Sequence, residues 1–166
     1  MKEKNKKGGM EISFGMIFSI ILIIAFIAVA FYVIKIFLNI KTCGLVGRFY
    51  QEFQASIDTA FRSPETSQVF SASLPSSVEY VCFFDVNKDA KGPRRDIYDK
   101  IASVNKNLVL WPKVKCSGLI GYDIKHVDIS QLTTNENPWC VKTEKSKINL
   151  KIEKGIYDKS VKILKP

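Results

Sequence analysis

The sequence predicts an α+β fold in which a long N-terminal transmembrane helix continues as an amphipathic helix, followed by an antiparallel β-rich domain. Three observations predict it. Ile12 to Ile34 is a run of 23 residues without a charge, in a chain of 166. Beyond Lys35 apolar residues recur every three or four positions as far as Phe61. After Pro64 the pattern changes again, to short runs of β-branched and aromatic residues and to alternation near the C-terminus.

The uncharged run covers ~35 Å at ~1.5 Å per residue, enough to cross a ~30 Å hydrocarbon core. In water a helix apolar all round has to be buried on every side. The remaining ~130 residues are too few to enclose it and also pack a core of their own. Residues 12–38 therefore read as a membrane span behind a basic cytoplasmic leader, residues 1–11. A cleaved secretory signal is the rival reading, with Lys2, Lys4, Lys6 and Lys7 as its basic region and Ala28-Val29-Ala30 as its cleavage site. The apolar stretch before Ala28 already exceeds the usual ~7–15 residues, and it continues through Phe31-Tyr32-Val33-Ile34.

Orientation follows from charge and cysteine together. Four lysines in the first seven residues face Lys35, Lys41 and Arg48 beyond the span, a slight positive-inside bias. Cys43, Cys82, Cys116 and Cys140 are an even set on the C-terminal side, separated by 39, 34 and 24 residues. No pair has the C-x2-C spacing of a zinc site, so two disulfides in an oxidising compartment are expected, with the domain extracellular. Four reduced, buried thiols are the plainer alternative. Four cysteines allow three connectivities; Cys82 and Cys140 lie in strand-like segments that can meet across a sheet, which leaves Cys43 for Cys116.

Residues 39–63 predict the amphipathic extension. Val46, Phe49, Phe53, Ile57 and Phe61 share one face with Ala60, while Arg48, Gln51, Glu52, Gln54 and Asp58 take the others. Gly44 and Gly47 are places where it can soften, and Ser63-Pro64 ends it. Residues 64–166 read as the β-rich domain. Val78–Phe84 is a central strand. Ile148, Leu150 and Ile152 alternate with polar residues and pair with Ser160–Lys165 as a terminal hairpin. Shorter strands are expected at Gln68–Ser71, Leu108–Trp111, Ile124–Ile129 and Trp139–Lys142, and one short helix over Asp96–Asn105.

A long helix, half in the membrane and half under a β-rich domain, resembles a type IV pilin. The segment Lys6-Lys7-Gly8-Gly9-Met10-Glu11-Ile12-Ser13-Phe14 is similar to the processing region of archaeal type IV pilin and archaellin precursors. That resemblance implies a short basic leader removed by a prepilin peptidase on the cytoplasmic side, at Gly8–Gly9 or, second, Gly9–Met10. It also implies a hydrophobic helix retained in the mature protein. Glu11 would be the third or second mature residue, whereas many family members carry a glutamate at the fifth. A carboxylate at the head of a membrane helix needs a partner, and the new α-amine of a neighbouring subunit supplies one. The plainer reading makes Lys6 and Lys7 positive-inside flanks and Gly8-Gly9 a joint. The stretch Glu11–Phe18 is also similar to small membrane-anchored archaeal proteins, a likeness that carries no activity.

Catalysis has little support, and no catalytic residue, cofactor or metal ligand is assigned. His126, the only histidine, would share a strand face with Asp128, near Asp123, which a solvated polar face explains as well. Asp85-Val86-Asn87-Lys88-Asp89-Ala90 echoes a calcium loop, but Ala90 replaces the required glycine and lysines crowd it, so a turn is expected. Ser117-Gly118-Leu119-Ile120-Gly121 likewise reads as a turn.

The net charge is +9, and beyond the span 21 basic residues face 14 acidic ones. Lys142 to Lys165 supplies eight lysines against Glu144, Glu153 and Asp158. Such a surface attracts polyanions, with Trp111, Trp139 and Tyr157 as stacking groups, or simply guards a sheet edge against pairing. Two function classes follow. The first is a pilin-like structural subunit with membrane lipid, other such subunits and a prepilin peptidase as partners. The second is a monomeric anchored surface module that binds a polyanion.

Overall fold

The computed structural model describes residues 14–165. Helix α1 spans Phe14–Arg62. It is followed by β1 (Thr66–Ser73), β2 (Tyr80–Phe83), α2 (Arg95–Ile101) with a 3-10 turn at Ala102–Val104, and β3 (Leu108–Trp111). Then come β4 (Gly121–Tyr122), α3 (Ile129–Leu132), β5 (Trp139–Lys142), β6 (Lys147–Lys154) and β7 (Lys162–Leu164). The strands form two antiparallel sheets, ordered β1-β6-β7 and β4-β3-β2-β5. The chain is thus an α+β protein with a long apolar N-terminal helix and a β-rich domain, as its pattern predicts.

Two compact units divide at residue 39, the second being Ile40–Pro166. The amphipathic half of α1 therefore belongs to the unit that holds the sheets. Its buried stripe is Val46, Phe49, Tyr50, Phe53, Ile57 and Ala60, at the three-and-four spacing of one helix face. Tyr50 is an addition to the predicted stripe, and Phe61 is only half-buried. These side chains join Val81, Phe83, Leu108 and Leu110 of one sheet and Ile148, Leu150, Ile152 and Ile163 of the other in the main core. Phe53 lies at its centre, 5.0 Å from the Phe70 ring and 5.9 Å from that of Phe83.

Alternation along β2 and β3 builds a second, smaller core on the opposite face. Cys82, Phe84, Val109 and Cys140 pack there with Ile97 and Ile101 of α2. The terminal hairpin follows the predicted alternation, with Ile148, Leu150 and Ile152 of β6 fully buried.

The segment predicted as a strand at Ile124–Ile129 is not one. Asn107 clamps Ile124 from both sides, donating to its carbonyl and accepting its N–H, and Lys125 N–H donates to the Gln54 side chain. His126 then takes a left-handed backbone (φ 65°), which a strand does not tolerate. Only Val127 keeps a bridge, a parallel one to Val161, before Asp128 caps α3. The small elements β4 and α3, and the cis bonds before Pro112 and Pro138, were not foreseen.

Candidate functional site

From Phe14 to Ile40 every large apolar side chain of α1 is at least 40 % exposed, up to 84 % at Phe14. The Ser19 hydroxyl hides its polarity by donating to the Gly15 carbonyl, 2.8 Å away. At ~1.5–3 kcal/mol for each such side chain covered, leaving this surface in water costs on the order of tens of kcal/mol. That exceeds the ~5–15 kcal/mol stability of an entire domain. The helix is long and apolar enough to cross a membrane. Lys6, Lys7, Gly8, Gly9 and Glu11, where the resemblance places the expected processing region, lie outside the described residues.

Both cysteine pairs are within the second unit. Cys43, on α1 just past the apolar segment, is linked to Cys116 in the loop before β4, with Cα atoms 5.5 Å apart. Cys82 is linked to Cys140, its facing residue in the β2–β5 register. The first bridge ties the helix to a loop across 73 residues of sequence, and the second joins neighbouring strands across 58. In the chain-entropy picture each removes about 4 kcal/mol of unfolded-state freedom.

The histidine cluster of the sequence does not come together. His126 stacks on Phe61, ring centroids 4.0 Å apart, with Nε2 3.8 Å from Asp58. Asp128 instead accepts the Gln131 N–H as a helix cap, and Asp123 accepts from Lys106 Nζ at 2.6 Å. The calcium-like loop is closed by a side chain that the sequence did not single out. Buried Asn137 donates to the carbonyls of Asp85, Lys88 and Asp89 and accepts the Asp85 N–H, while the Asp85 carboxylate accepts the Asn87 N–H. Among the described residues no group of three His, Cys, Asp or Glu side chains is placed to hold a metal.

The lysine-rich end is a strand surface. Lys151 pairs with Glu153 and Lys162 with Asp158. Those contacts hold both carboxyls below their ordinary range, Glu153 chiefly through the Lys151 hydrogen bond and Asp158 through that of Lys162, then the Gly155 amide. Of the aromatic residues singled out, Tyr157 is almost fully exposed, and Trp111 and Trp139 are half-buried. Comparison with known proteins finds no matching family model, no matching curated protein and no matching solved structure.

Proposed function

We propose that the chain is a membrane-anchored, pilin-like structural subunit of a surface filament or envelope assembly, matured by a prepilin-type peptidase. The observation that carries this reading is the division of α1. Its first part exposes apolar side chains on all faces, and its second part buries one stripe in the β-rich domain. A helix used in both ways holds the domain at the membrane and leaves the apolar part for lipid or for the same helix of other copies. Two disulfides in the domain fit an oxidising, extracellular location with the N-terminus in the cytoplasm. Removal of the leader after Gly8 or Gly9 would free an α-amine beside Glu11, and the two charges neutralise one another best between neighbouring helices.

Energy transfer between donor- and acceptor-labelled copies in liposomes tests the assembly step. The reading expects transfer that falls when unlabelled protein is added in excess. Absence of transfer at high protein density identifies a monomeric anchored module instead.

A further inference from the structure

A cleft of about 430 Å³ runs along the free edge of β5, where it faces β6 and the end of β7. Its volume is in the range of small-ligand sites. Four cations line it: Arg94, Lys142, Lys147 and Lys165. Among the described residues none of the four is in an ion pair, although Lys151 of β6 and Lys162 of β7 are.

Aromatic rings hold two of these cations instead. The Arg94 guanidinium lies 4.2 Å from the Tyr80 ring centroid and donates to the Tyr80 hydroxyl at 2.7 Å. Lys165 Nζ lies 5.6 Å from the Trp139 ring. Opposite Tyr80 in the β2–β3 register, Trp111 carries Lys100 at 5.4 Å. A ring quadrupole orients a cation without neutralising it, so the charge stays available to a ligand. Of these rings only Tyr80 lines the cleft, and Arg94 already lies over it, so the cleft has little stacking surface for the bases of single-stranded nucleic acid.

Glu136 and Glu144 line the same cleft. They repel any anionic group of a ligand alike, but a phosphodiester linkage gives them no donor, whereas sugar hydroxyls donate hydrogen bonds to them. A ligand that satisfies both sets has carboxylates for the cations and hydroxyls for the glutamates. We infer that this cleft binds an acidic saccharide, a uronate-bearing glycan. The site lies wholly within the unit Ile40–Pro166 and does not depend on assembly through α1.

Calorimetric titration of the full chain in non-ionic detergent with an oligogalacturonate, its neutral counterpart and a single-stranded oligonucleotide tests this. The uronate is expected to bind saturably, the neutral sugar at least about tenfold more weakly, and the oligonucleotide more weakly than the uronate. K142Q/K147Q, both exposed, is expected to weaken uronate binding by about tenfold, while K125Q/K159Q, which removes the same charge outside the cleft, leaves it unchanged. Near-UV circular dichroism verifies that both variants keep the fold. Equal binding of the neutral sugar, equal losses in the two variants, or tighter binding of the oligonucleotide each overturn the inference.

Discussion

Tyr50 is the one residue, among those described, with a buried side-chain polar atom that lacks a hydrogen-bond partner. Burial pushes its phenol well above the usual range; the Leu110 backbone lies close enough to oppose a little of that shift, but not in hydrogen-bonding geometry. An unsatisfied buried hydroxyl costs about 1–3 kcal/mol, and the ring itself stacks on Tyr122 at 5.3 Å. Tyr50→Phe keeps the ring and removes the orphan group, so it is expected to leave stability unchanged or raise it by about 1 kcal/mol. Thermal unfolding in detergent measures this, and a clear loss would reveal a water-mediated partner. Acid acts at other residues. Glu153 and Asp158 have folded values below their ordinary 4.5 and 3.8, so the unfolded chain binds more protons in acid. Their stabilisation is complete above those values and is lost as pH falls through the folded ones. E153Q/D158N is therefore expected to flatten the acid limb of a Tm-against-pH curve; an unchanged limb would contradict it.

At the scale of elements, α1 is the part that both the pattern and the fold describe most alike. Its stripe was legible because helix periodicity and burial coincide at Val46, Phe49, Phe53 and Ile57. The hairpin was legible for the same reason at period two. The Ile124–Ile129 segment was not, because its backbone partners are side chains distant in sequence, Gln54 and Asn107, which no local pattern announces. Asn137 escaped notice likewise: its role depends on a loop some fifty residues earlier. The lysines were visible as a basic end, yet Arg94 on Tyr80 meets Lys142 only through the register of β2 beside β5, and Lys147 and Lys165 reach the cleft from β6 and the end of β7 in the other sheet. Two changes probe α1 itself. Phe53→Ala, which empties the centre of the main core, is expected to destabilise by about 3–5 kcal/mol. C43S/C116S is expected to cost about 4 kcal/mol and to lower the unfolding midpoint without removing the sheets' circular dichroism signal. Retention of full stability would mean that the bridge adds nothing to the contacts of α1.

For the whole molecule, the decisive asymmetry is between a domain that buries its apolar groups and a helix segment that exposes them. On the order of tens of kcal/mol separate that apolar surface in water from the same surface covered, as lipid or other copies would cover it, and the helix is long and apolar enough to cross a membrane. Ile24→Arg places a charge near the middle of the segment and is expected to cost about 2.5–3.5 kcal/mol in membrane insertion. Carbonate extraction of membranes reads this as a shift of the protein toward the soluble fraction. The proposed likeness to pilin precursors rests on residues 6–14 together with the division of α1, and the cleavage it implies is chemically testable. The most direct test is the N-terminal mass of the protein purified from its native membranes. A start at Gly9 or Met10 is the predicted result, and it establishes prepilin-type processing of a subunit that keeps its helix. A start at Met1 or Lys2, with the leader intact, would contradict the account and leave a signal-anchored surface protein.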